Sequence, residues 1–250
     1  MTDNLPIKWE EELAKHATKA AAQERPAVGR LAFRGGIMTY QNQAIPGNKL
    51  NVVIISSAKE HALYQNVLEQ RQFDPNKPES PICYALSLSG EDMVPHAQAR
   101  QRQAVSCAEC KWNAWGSAPN GGKGKACKES RRLIMLPVSA VMQNAPPDSV
   151  KKAEAATCSI PVTSVKNWAN YTAQLAGEFR RPPWAMVTEV SLHPHARNQL
   201  EVKFAPVAQV SEQFLSDLMQ RRDTADAVIL TPYAQESNAP AAQPMQNRKY

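Results

Sequence analysis

The sequence predicts a mainly β, α+β chain: an antiparallel barrel or sandwich with two or three peripheral helices and one long insertion. Three observations carry that expectation. Short β-like runs recur at close spacing with turn signals between them, which favours antiparallel over doubly wound parallel architecture. Nineteen prolines against ten glycines imply many loops and short elements rather than a bundle. A cysteine-, glycine- and lysine-rich stretch, CAECKWNAWGSAPNGGKGKACK at 107–128, interrupts the strand pattern.

Taken in order, residues 1–25 read as an N-terminal arm with a short helix, capped by Asp3 or Asn4 and closed by Pro26. A nucleic-acid-binding domain is expected over 26–232, with the insertion at about 93–130. Its strands begin with VGRLAFRGGIMTYQ and NKLNVVIISSAKEHALYQ, joined by the turn-forming IPGN. ESPICYALSLSG is a strand carrying Cys83, and SRRLIMLPVSAV leaves the insertion as another. CSIPVTSVKNWANYTAQLAG reads as a strand turning into a helix, with Ser164 as cap and Val165, Trp168, Ala169, Tyr171, Thr172 and Leu175 on its apolar face. WAMVTEVSLHP and NQLEVKFAPVAQV alternate as a hairpin, and SEQFLSDLMQRR forms an amphipathic helix with Phe214, Leu215 and Leu218 inward. The polar segment 233–250 is expected to be a disordered tail.

No apolar run approaches the ~20 residues needed to span a bilayer, and the polar, acidic start lacks a signal peptide. A cytoplasmic protein is expected. In that compartment five cysteines are not structural disulfides. Cys107 and Cys110 have the C-x2-C spacing that lets two thiolates reach one ion, and Cys127 follows in the same segment. A glycine-rich stretch with few apolar residues cannot build its own core, and a closed four-ligand zinc site would supply the missing folding energy. One zinc ion per chain is therefore expected, with Cys83 the best fourth ligand and His96 or Cys158 weaker ones. An iron–sulfur cluster and plain buried thiols are the alternatives, and Cys158 reads as core.

Charge points to the partner. The net charge is +6, and residues 100–132 hold eight Lys and Arg against Glu109 and Glu129. Such a field favours phosphates. Trp112 and Trp115 sit among Lys111, Lys123, Lys125, Lys128, Arg131 and Arg132. Aromatic platforms in a basic groove suit single-stranded nucleic acid, because stacking tolerates any base. A second basic and aromatic set is spread over the strands. There Arg34, before Gly35 and Gly36, is the best exposed contact, whereas Phe33, Trp168 and Trp184 read as core.

Catalysis finds little support. NGGKGKA fails as a phosphate loop, since Pro119 stands where the first Gly belongs and Ala126 where Ser or Thr binds magnesium. Acids are scattered, with no compact pair for two-metal work, and His193 and His195 read as surface residues. The expectation is a non-enzymatic protein.

FRGG at 33–36, PICYA at 81–85, CAECKWNAWGSAPNGGKGKACKESRRLIML at 107–136 and IPVTSVKNWANY at 160–171 together resemble a family of bacteriophage single-stranded DNA-binding proteins. The similarity runs over most of 28–205. It implies an oligonucleotide-binding (OB-fold-like) barrel with an inserted zinc-bearing loop, coating DNA in phage replication or recombination. It carries over Cys83, Cys107, Cys110 and Cys127 as ligands, with Trp112, Trp115 and the neighbouring cations as contacts. Replication or recombination proteins of the phage would be further partners. The chain departs from many replication binders in ending PMQNRKY, without an acidic tip. RNA is a possible target in place of DNA. The rival classes are a phage regulatory protein gripping a host protein through its insert, and a nuclease or recombination enzyme.

Overall fold

The structure is a computed structural model that describes residues 13, 16, 29–72, 79–119, 121–195 and 199–233. The expected N-terminal arm, apart from helical Leu13 and His16, and the expected tail beyond Tyr233 lie outside the described residues.

Among the described residues, nine strands build one curled sheet. They are β1 (Gly29–Arg34), β2 (Ile37–Tyr40), β3 (Gln43–Ala44), β4 (Lys49–Leu63), β5 (Cys83–Ser87), β6 (Lys128–Pro137), β7 (Ala156–Ile160), β8 (Met186–His195) and β9 (Gln199–Gln209). The order is β3-β2-β1-β7-β6-β4-β8-β9, with β5 paired to β4. The β1–β2 hairpin turns on Gly35 and Gly36, whose φ of 57° and 81° suit residues without a Cβ. The expected β8–β9 hairpin is present, with Val190 opposite Phe204.

The sheet is mixed rather than wholly antiparallel. β1 and β7 run parallel, Gly29 facing Ala156. Strand spacing gave no sign of this, because the two strands are joined through most of the intervening fold. Among the described residues no pairing joins β3 to β9, so the sheet curls without closing.

Alternate residues of the central strands enter two cores. Val52, Ile54, Leu133 and Met135 pack with Trp168, Tyr171 and Leu175 of the segment containing helix Val165–Gln174. Val53, Ile55, Ile134 and Leu136 pack beneath Phe214, Leu218, Ala225 and Ile229, on or beside helix Leu215–Ile229. With the short helices Gln65–Leu68 (α1) and Ser149–Lys152 (α2) before them, these two are α3 and α4. Trp168 and Phe204 meet edge to face at 5.2 Å. The inward residues expected of both helices are buried or half-buried except Ala169, which is exposed because it lies one step around the helix from Trp168. Ser164 differs from expectation. Its Oγ accepts the Val202 N–H at 2.7 Å and makes no cap bond, so it ties α3 to β9 instead. Among the described residues no helix is long and apolar enough to cross a membrane.

Strand β4 positions everything that follows. A register shift lies between Ile54 and Ser56. Before it, β4 pairs with β8 over Lys49–Val53; after it, with β5 over Lys59–Leu63. β6 accompanies both halves along the other edge.

Candidate metal centre and nucleic-acid interface

Among the described residues of 88–127 there is no strand and only one short 3-10 turn, Lys111–Asn113. Register fixes two of the four cysteines. Leu63 of β4 faces Cys83 on β5, and Ala62 faces Lys128 on β6, so Cys83 and Cys127 enter from the two strands flanking β4. The insertion brings the other two. The Cys107 N–H donates to Met93 O at 2.9 Å, Asn113 Nδ2 donates to Cys107 O at 2.8 Å, and Asn113 N–H donates to Cys110 O at 2.9 Å. The Cys127 N–H donates to Trp112 O at 2.9 Å, which closes the loop.

All four cysteines line one cavity of about 20 Å³, room for a water or a single ion. Burial pushes the Cys107 thiol up to about 11 and the Cys127 thiol up to about 12, and the neighbouring thiols of the set push both further the same way. Burial also raises Cys83, opposed by a backbone N–H from Gln103. Among the described residues, no group of three or more His, Cys, Asp or Glu is arranged as a formed metal site. The donor set is soft and chemically suited to zinc, with Cys83 and Cys107 buried and Cys110 and Cys127 half-buried.

Neither weaker candidate ligand lines this cavity. His96 stacks on Tyr84, ring centroids 5.0 Å apart, with its Nδ1 3.0 Å from the Tyr84 hydroxyl. Cys158 lies in the α3-side core, where burial alone pushes its thiol up to about 12. One cavity residue was missed by sequence reasoning. His61 of β4 is 6% exposed, and neither ring nitrogen has a hydrogen-bond partner. The available signal was strand alternation, which puts His61 on the face of Leu63.

The two tryptophans diverge. Trp112 is half-buried, lines the cavity, and donates its Nε1–H to Gln103 Oε1 at 3.0 Å. Trp115 is 80% exposed. It precedes Gly116, whose φ of 82° and whose N–H donation to the Lys123 and Gly124 carbonyls tie the two limbs of the loop together. Lys125 Nζ lies 5.4 Å from the Trp115 ring centroid, and Lys111 Nζ lies 4.8 Å from that of Trp112. Both fall within cation–π range. Lys125 also donates to Asn113 Oδ1, Lys128 donates to the Lys125 carbonyl, and Lys123 is exposed.

The arginines are engaged elsewhere. Arg131 pairs with Glu129 at 3.1 Å. Arg132 turns inward: its Nη2 meets Glu60 Oε1 at 2.8 Å, and Nη1 donates to Thr231 O at 2.8 Å. Its guanidinium stands 4.7 Å from the Tyr233 ring. Arg34 ends β1, and its side chain lies outside the described residues. Phe33, Trp168 and Trp184 pack against the cores, as expected.

Comparison of the chain with family models, with curated proteins and with solved structures found no match in any of the three.

Proposed function

We propose that this chain binds single-stranded DNA through its insertion, in the manner of a bacteriophage coating protein with an OB-like barrel. The observation that carries the reading is Trp115, a large indole 80% exposed with an ammonium over its ring. Exposing that much aromatic surface has an energetic cost, which a stacked base would recover. Lys111, Lys123 and Lys125 share its loop and Lys128 opens β6 directly after it, and the nearest acid in sequence is Glu109. Base stacking gives affinity without reading identity, and the cations follow the backbone.

Trp115→Ala is expected to lower affinity for oligo-dT about tenfold to a hundredfold, from a loss of about 1–3 kcal/mol. Protein fluorescence titrated at two salt concentrations measures it. Lys123→Ala should flatten the logarithmic salt dependence by about 0.7 for each phosphate it no longer neutralises. Unchanged binding in both variants would remove the interface.

In the same reading Cys83, Cys107, Cys110 and Cys127 hold one zinc ion. When bound, the ion supplies cross-linking of the insertion to β5 and β6. Because Cys107 and Cys127 titrate near 11 and 12, both carry protons at pH 7 and must release them to bind metal. Affinity is therefore expected to climb as pH rises from about 6 to 8, with protons liberated into weakly buffered solution. Binding that is flat across this range would contradict thiolate ligation.

A further inference from the structure

We infer that His61 is a positioning residue of the cysteine cavity, giving a ring N–H to one of its thiolates. The inference rests on the reading of the four cysteines as metal ligands.

Buried polar side-chain atoms almost always have partners, and an exception asks for an explanation at its own site. His61 is such an exception. It is 6% exposed, it lines the cavity beside all four cysteines, and neither of its ring nitrogens is hydrogen-bonded. Each of the other polar side chains of that lining has at least one hydrogen bond. Gln103 accepts the Trp112 N–H, Asn113 donates to Cys107 O and accepts from Lys125, and the Tyr84 hydroxyl meets His96. Glu129 is an ion-pair neighbour of the imidazole and not its hydrogen-bond partner. Its carboxylate stands 3.7 Å from His61 Nε2, beyond hydrogen-bond range, and already pairs with Lys59 and Arg131.

A neutral imidazole always carries one N–H, and the tautomer with hydrogen on Nδ1 leaves that donor free of Glu129. Four thiolates around a divalent ion leave two negative charges in a buried site, and N–H donors compensate them. His61 is the polar side chain of that lining with no hydrogen bond at all.

The test compares wild type with His61→Leu, which removes the donor, and His61→Asn, which keeps an N–H. Affinity is read by chelator competition with zinc, and the ligand set by the cobalt(II) spectrum. His61→Leu is expected to bind zinc about tenfold to a hundredfold more weakly with an all-sulfur cobalt spectrum unchanged, and His61→Asn to recover part of the loss. Equal affinity in all three proteins overturns the inference, as does a cobalt spectrum that loses a nitrogen ligand in His61→Leu. Wild type that takes up no metal is a different result, the failure of the underlying reading. Circular dichroism of each variant verifies that the sheet is retained.

Discussion

Serine in place of both Cys107 and Cys110 is expected to abolish metal uptake and release the insertion while the sheet stays folded. Structural zinc contributes on the order of 10 kcal/mol to folding in small sites, and apart from a hydrogen-bond network residues 88–127 have little apolar packing to hold them. Their buried apolar packing is confined to two small clusters, one of Ala85, Met93 and Cys107, the other around Leu63, Ile82, Cys83 and Ala126. Neither large core contains a cysteine of this set. Elemental analysis should therefore fall from one zinc per chain to none. Far-ultraviolet dichroism should persist, and trypsin should begin to cut at Lys111, Lys123 and Lys125. DNA affinity should fall with it, because Trp115 loses its mount. Retained protease resistance in the double variant would end the idea that metal holds this loop.

The second large effect concerns Arg132. Arg132→Met is expected to destabilise the fold by about 3–5 kcal/mol, because it strands a buried carboxylate. For a chain of this size that corresponds to a fall in Tm of roughly 10 °C. The Glu60 side chain is 3% exposed. Around it Arg132 approaches through Nε and Nη2, Ser130 Oγ donates at 2.9 Å and Tyr233 Oη donates at 2.7 Å. Burial and the Glu60 charge together hold the Tyr233 hydroxyl far above its ordinary range, so it stays a donor. Removing both charges in Glu60→Leu with Arg132→Met should cost much less than the single change, since no lone ion is left behind. Thermal melts of the two variants decide it. Equal losses would mean that packing, not charge, governs the site.

Arg132 also marks a limit of what the amino-acid order conveys. A run of cations reads as a single field, and nothing local separates Lys123, which faces solvent, from Arg132, which pairs across 72 residues with Glu60. Strand identity was legible where apolar runs are continuous, as in β4 and β6, and where residues alternate, as in the β8–β9 hairpin. The burial of Trp168 and Tyr171 followed from helical spacing. The parallel pairing of β1 with β7 was not legible, because pairing partners distant along the chain leave no periodic trace. Cys83 could be grouped with the insert cysteines by chemistry alone, and the cavity contains all four. His61 could not be so grouped. A lone histidine in a strand acquires meaning only once the covering segment is known, and that segment has no periodicity of its own. The divergence of Trp112 and Trp115 has the same origin: two equal rings, three residues apart, separated by which one the loop folds over.

The divided partnership of β4 has a consequence for handling the protein. Its second half keeps β6 along one edge and, along the other, five residue pairs of β5, the strand that carries Cys83. Were the insertion to let go, the far edge of β5, where the His96 N–H now donates to Tyr84 O at 2.7 Å, would lose its cover. Bare edges of that kind recruit other chains. Preparations stripped by chelators should consequently cloud or elute as larger species, at a rate set by protein concentration rather than by heat.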